Sequence, residues 1–147
     1  MIQYEVLKTV CTGTVGQIRA LMHELSPNAH EHDRSSLNRV LERNTVVVAR
    51  DTSHPSEIII GTATLVIMDQ LVGRRGRVED VVVASGYRRR GIGRGLMEEL
   101  RRQAIHAGVF KLALSSRIEN DDASEFYRSL GYTKGHLEIY TIDLAKR

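Results

Sequence analysis

Residues Tyr87 to Leu100 read YRRRGIGRGLMEEL, with three arginines and then glycines at Gly91, Gly93 and Gly95 ahead of an apolar-periodic segment. Like charges repel and glycine weakens a helix start, so this spot is built for something anionic. Backbone N–H groups at a helix N-terminus lack partners and carry the positive end of the dipole, which attracts phosphate. Glycine lets the main chain come close to a ligand, and arginine adds forked donors. A diphosphate fits that chemistry. The spacing does not match G-x-x-x-x-G-K-[ST], and Gly91, Gly93 and Gly95 lack the third interval of a dinucleotide fingerprint. A tight turn carrying a solvated arginine cluster is the competing reading of these residues alone.

Other residues invite chemistry too. Glu79 and Asp80 lie between valines in RVEDVVV. On a regular strand, neighbours point to opposite faces, so both reach one pocket only if the strand bulges or ends there. Arg74, Arg75 and Arg77 offer forks that match phosphate oxygens. Ser115 and Ser116 end an apolar run, and Asn120 stands just before a helical pattern, where a cap is equally fitting. The HEHD stretch, His30 to Asp33, lacks a firm third ligand in sequence, so no metal is expected. Cys11 is the one cysteine and has no basic neighbour, which argues against a nucleophile, an internal disulfide or a multi-cysteine zinc site.

These groups need a scaffold. The 147 residues are 41% hydrophobic and 27% charged, which suits one compact domain over 1–147. No apolar run approaches the eighteen or so residues of a membrane span. The N-terminus lacks the basic and apolar regions of a secretion signal, so a reducing interior such as the cytoplasm is expected, with a soluble organelle still open. Net charge is +3, but most of the arginines fall between Arg74 and Arg102. With five Tyr, two Phe and no Trp, stacking platforms for nucleic acid are not expected.

Alternation predicts a first strand over Ile2–Lys8, and apolar spacing predicts helices over Thr14–Leu25, Ser36–Leu41, Gly93–Ala107 and Asp121–Leu130. Thr12 or Thr14 is the expected cap of the first helix, and Gly108 that of the third. Further strands are expected at Thr45–Ala49, Ile58–Met68, Arg77–Val83 and Phe110–Leu114. DQLVGRRG is read as a connection, and Tyr132–Leu144 as one bent or two short strands. The order gives an α/β domain: an antiparallel meander followed by crossovers.

The chain resembles the GNAT superfamily of N-acetyltransferases, whose acetyl-coenzyme A signature [RQ]-x-x-G-x-[GA] is matched by Arg88-Arg89-Arg90-Gly91-Ile92-Gly93. FYRSLGY follows some thirty residues later, in the expected order. The resemblance implies the GNAT fold, a mixed, mostly antiparallel twisted sheet of six or seven strands flanked by about four helices. It implies that the amides from Arg89 to Arg94 cradle the coenzyme's pyrophosphate, with Val81, Val82, Val83 and Asn120 along the cofactor arm. Tyr127 matches the tyrosine that donates to the coenzyme sulfur.

Within the superfamily, GTATLVI and RGRVEDVVV are similar to the strands of eukaryotic glucosamine-6-phosphate N-acetyltransferases, on the route to UDP-N-acetylglucosamine. This implies an amino-sugar phosphate acceptor, Glu79 and Asp80 as its binders, Glu79 as general base, and a homodimer. Arg74, Arg75, Ser115 and Ser116 complete the expected acceptor site. Two departures stand out. The loop before the E-D strand is short and holds arginines rather than a lysine, and the last expected strand, Glu138 to Ile142, carries no arginine. The alternatives are an acetyltransferase for another amine, a non-catalytic coenzyme A sensor, or a nucleic-acid module.

Overall fold

The computed structural model describes residues 1–117 and 121–145. They divide into two compact units, Met1–Leu114 and Ser115 onwards.

The first unit holds a five-stranded sheet in the order β1 (Ile2–Val6), β2 (Thr45–Asp51), β3 (Ile58–Gln70), β4 (Gly73–Val83) and β5 (Lys111–Ala113). The first four strands form an antiparallel meander, and β5 pairs parallel to β4 after a helical crossover. Helices α1 (Thr14–Leu25), α2 (Arg34–Arg43) and α3 (Ile92–His106) complete the unit. Val46 to Ala49 are all buried. Such unbroken burial is what a β-branched strand shows when both faces are covered.

On one face, Ile18 and Leu21 of α1 and Leu37 of α2 meet Val46, Val48, Ile59 and Val82. The other helix, α3, lies across β1 to β4 and buries Leu96, Met97, Leu100 and Ala104. Leu100 follows Leu96 by four residues and Met97 by three, and Ala104 follows Leu100 by four, so they form one stripe. Burial of each large side chain contributes about 1.5–3 kcal/mol.

Local chemistry sets the limits of the elements. Asp33 Oδ1 accepts from the Ser36 N–H at 2.8 Å while Ser36 Oγ accepts from the Asp33 N–H at 3.0 Å, a reciprocal box that starts α2 at Arg34, earlier than the expected Ser36. Neither Thr12 nor Thr14 caps α1. The cap is Gly13 in a left-handed conformation, and Thr14 Oγ1 instead accepts from the Cys11 N–H at 3.0 Å. Gly108, at φ 77°, ends α3 just beyond its cap residue, Ala107.

The expected connection DQLVGRRG is mostly strand: β3 runs to Gln70 and β4 starts at Gly73, leaving Leu71 and Val72 as the turn. Gly76 is buried where Leu112, Leu65 and Val109 close in, which explains a glycine inside a strand.

The second unit contains α4 (Asp121–Ser129), closed by Gly131 at φ 96°. Beyond it, 133–144 enters no β ladder, contrary to the one or two strands expected there, so the described residues carry five strands instead of six or seven. A strand exists through hydrogen bonds to a neighbour. Without one, Leu137, Ile139, Tyr140, Ile142 and Leu144 stand exposed. No described helix is long and apolar enough to cross a membrane.

Candidate active site

The arginine–glycine stretch forms the turn between β4 and α3. A 3₁₀ turn at Ser85–Tyr87 leads into Arg89 at φ 64° and Gly91 at φ 76°, both left-handed. Left-handed residues alternating with ordinary ones roll successive N–H groups into a concavity that suits an anion. Gly95 N–H donates to Gly91 O at 3.1 Å as the helix opens, so the N–H groups of Ile92 and Gly93 precede the helical ladder. A Cβ on Gly91 would meet nothing within 4 Å, so glycine is required there by conformation rather than by space. Gly95 is different: a Cβ there would overlap the Tyr4 ring. It is a packing glycine between α3 and β1, whereas its spacing had implied a place in the anion-binding turn.

The turn is tied down on several sides. Ala84 N–H donates to Ile60 O at 2.8 Å, and Ser85 N–H donates to Glu24 Oε1 at 3.0 Å. Arg88 Nε donates to Val83 O at 3.1 Å. Tyr87 Oη donates to Asp51 Oδ2 at 2.7 Å while Arg90 lies over the Tyr87 ring at 5.1 Å. Hydrogen bonds from the Ser53 hydroxyl and then from Tyr87 hold the Asp51 carboxyl down to about 2.

Glu79 and Asp80 sit at a bulge. Thr64 pairs with Glu79 and Thr62 with Val82, so one β3 residue faces two β4 residues, Asp80 and Val81, neither of which has a partner in register. Asp80 takes φ 53°, a left-handed conformation that a non-glycine residue holds only under constraint. Thr62 Oγ1 donates to its carbonyl at 2.8 Å. The bulge breaks the simple alternation that would send the two carboxylates to opposite faces. Because β5 pairs only with Arg75 to Arg77, the acidic pair and Val81 to Val83 lie where β4 has β3 on one side and no β5 on the other.

The Asp80 carboxyl retains solvent-accessible surface, yet the protein crowded around it raises its pKa, with Glu79 adding to the rise and His32 opposing it. Glu79 accepts from Arg77 Nε at 3.1 Å. His32 belongs to the loop before α2, where its Nδ1 meets Ser36 Oγ at 2.9 Å and its ring touches His30 edge-on at 4.7 Å. Burial, then His30, lowers the imidazole pKa, with Arg19 adding a little; Asp80 and Asp33 oppose. The ring is therefore neutral near pH 7.

Of the expected phosphate-binding arginines, Arg77 alone lies beside the acidic pair. Arg74 clasps Asp69 at 2.7 and 3.3 Å and donates to Ala107 O at 2.9 Å. Arg75 lies over Phe110 at 5.8 Å, with its Nε buried and without a hydrogen-bond partner among the described residues. Six residues of strand separate Arg74 from Asp80, roughly 20 Å.

In the second unit, Tyr127 of α4 packs beside Phe126 at 5.2 Å and Tyr132 at 6.0 Å. Burial raises its hydroxyl pKa, so it holds its proton at neutral pH. Ser115 and Ser116 are exposed. Asn120 lies outside the described residues.

A model of the acetyltransferase (GNAT) family matches residues 16–132. The chain belongs to that family. Over 108 residues it is 32% identical to a glucosamine 6-phosphate N-acetyltransferase of Trypanosoma brucei brucei, covering 71% of each chain. Over 90 residues it is 37% identical to a probable glucosamine 6-phosphate N-acetyltransferase of Drosophila melanogaster, covering 59% of this chain and 39% of that one. A solved acetyltransferase of Trypanosoma brucei superposes with a TM-score of 0.79 at 24% identity, over 98% of this chain and 100% of its own.

GNAT members use acetyl-coenzyme A, and the turn at Arg88 to Gly93 has the donors and charge that a diphosphate needs. His32, which interacts electrostatically with Asp80, was not among the residues expected at the site. Its stretch was weighed for metal alone, and nothing local tells that His32 shares an environment with Asp80, 48 residues away. Among the described residues, no group of three or more His, Cys, Asp or Glu is arranged to hold a metal.

Proposed function

We propose that this GNAT chain transfers the acetyl group of acetyl-coenzyme A to the amine of glucosamine 6-phosphate, by direct attack in a ternary complex. The observation that carries the reading is the acidic pair, Glu79 and Asp80, at the bulge where β4 is no longer paired with β5. Carboxylates at that point suit an amino sugar, whose ammonium and hydroxyls both offer donors. The relatives named for this reaction support the same acceptor.

In this reading, amides from Arg89 to Arg94 hold the pyrophosphate, and main-chain groups around Val81 to Val83 hold the pantetheine arm and the acetyl oxygen. The amine loses its proton to Glu79, directly or through water. Its neutral nitrogen then bonds to the thioester carbon, the C–S bond breaks as Tyr127 protonates the departing thiolate, and the second proton shed by the nitrogen restores Tyr127 through solvent.

The family match runs from residue 16 to 132, across the boundary between the two units, which supports a single acetyltransferase domain. A homodimer is part of the proposal: Leu137, at 93% exposure, and its apolar neighbours suit a tail covered by a second copy. The deciding experiment is a thiol-release assay with acetyl-coenzyme A against glucosamine 6-phosphate, glucosamine, an aminoglycoside, a polyamine and a lysine peptide. Preferential turnover of the phosphorylated sugar is expected. No gain from the 6-phosphate sinks the acceptor assignment.

A further inference from the structure

Resting on that reading, a phosphorylated acceptor needs a cationic subsite close to the acidic pair, and Arg74 and Arg75 lie at the other end of β4. A second basic constellation does lie close. The loop at His30 and His32 and the face of α2 enclose a shallow cleft of about 240 Å³, lined by His30, His32, Ser36, Arg39, Arg43 and Asn44 over Val40. Two arginines one helical turn apart share a face, and no carboxylate lines the cleft. Both arginines are exposed; among the described residues Arg39 makes a long hydrogen bond to Ser35 Oγ at 3.4 Å and interacts electrostatically with Asp33, which lies outside the cleft lining.

The cleft is also joined to the acidic pair. His32 forms part of its wall and interacts electrostatically with Asp80. Asn44, also in its lining, immediately precedes β2, whose Val46 pairs with Thr64, itself opposite Glu79. The cleft therefore lies at the level of the sheet where the bulge presents its carboxylates. We propose that it is the anion subsite of the acceptor: Arg39 and Arg43 grip a phosphomonoester while the amine of the same molecule lies toward Asp80. Guanidinium forks suit phosphate oxygens, and the imidazole of His32, neutral near pH 7, fits between phosphate and amine without opposing either.

The test is an Arg39→Gln/Arg43→Gln double variant, confirmed folded by circular dichroism and assayed with glucosamine 6-phosphate and glucosamine. Losing charge-assisted hydrogen bonds should lower the ratio of the two kcat/KM values by about 10- to 100-fold. An unaltered ratio overturns the proposal, as does a matching rise in the KM for acetyl-coenzyme A, which would assign the arginines to the donor's phosphates. If the wild-type protein itself shows no preference for the phosphorylated sugar, the acceptor reading has failed on its own. Inorganic phosphate, titrated against wild type and variant by amide NMR, then decides the subsite. Shifts along α2 that vanish in the variant uphold an anion site, and their absence from the wild type refutes it.

Discussion

Gly95 of α3 and Tyr4 of β1 occupy adjoining space so tightly that a methyl group on the glycine would overlap the phenol ring. The first strand and the helix that follows the arginine–glycine turn are thus locked together by the absence of a side chain. Gly95→Ala brings a favourable helix propensity of about 1 kcal/mol but forces the ring or the helix to move, which costs about 1–3 kcal/mol. A net loss of about 1 kcal/mol is expected, read as a lower urea midpoint at unchanged slope. Tyr4→Ala in the same chain should make the Gly95 substitution nearly harmless; a Gly95→Ala protein as stable as wild type refutes the contact.

The turn's anchor predicts an acid limb. Asp51 titrates near 2 instead of its ordinary 3.8, so its ionised form stabilises the fold above pH 4 and that stability is lost as pH falls toward 2. Tyr87→Phe removes one of its hydrogen bonds. The variant should be less stable than wild type at pH 7, with the two stability curves converging near pH 2. Parallel curves across that range would remove the Tyr87–Asp51 pair from the account.

What was legible in the sequence follows from how local its causes are. Apolar spacing alone located α1 at Thr14 to Leu25, the limits the structure shows. The start of α2 was missed because Asp33 and Ser36 define it through side-chain bonds, and Asp33 belonged to a stretch weighed only for metal. Gly73 to Gly76 reads as a loop because glycines and arginines suggest one, whereas Gly76 is needed by the close approach of Leu112 and Leu65. At the candidate site, the turn ahead of α3 was legible because its conformation is written in Arg88 to Gly93. The bulge was foreseen only as a condition, since which strand carries the extra residue depends on the register with β3. The electrostatic interaction of His32 with Asp80 and the α2 cleft depend on how distant elements pack, which spacing cannot reveal.

Asp80 predicts the opposite pH behaviour to Asp51. Its folded pKa lies above the ordinary value, so stability falls as pH rises from about 3.8 through that folded value. Asp80→Asn keeps a residue that tolerates the left-handed conformation and removes the crowded charge. The variant should be more stable than wild type at pH 7, the gap closing on acidification, while kcat/KM for the amine drops about tenfold or more. Loss of stability at pH 7 with full activity would place Asp80 outside the site.

Tyr127 separates chemistry from binding. Burial holds its hydroxyl protonated through neutral pH, so in the proposed mechanism it serves as a donor rather than as a base. Tyr127→Phe keeps the ring contacts with Phe126 and Tyr132 and removes only the hydroxyl. General acid catalysis is worth about 10²- to 10⁴-fold, so kcat should fall into that range while the Kd for acetyl-coenzyme A stays within about twofold. The alkaline limb of the rate profile sharpens the assignment. If Tyr127 is the acid, wild-type kcat declines only at pH values above the ordinary tyrosine range, and that decline disappears in the variant. Single-turnover acetyl transfer at the wild-type rate by Tyr127→Phe would leave the departing thiolate to be protonated by solvent.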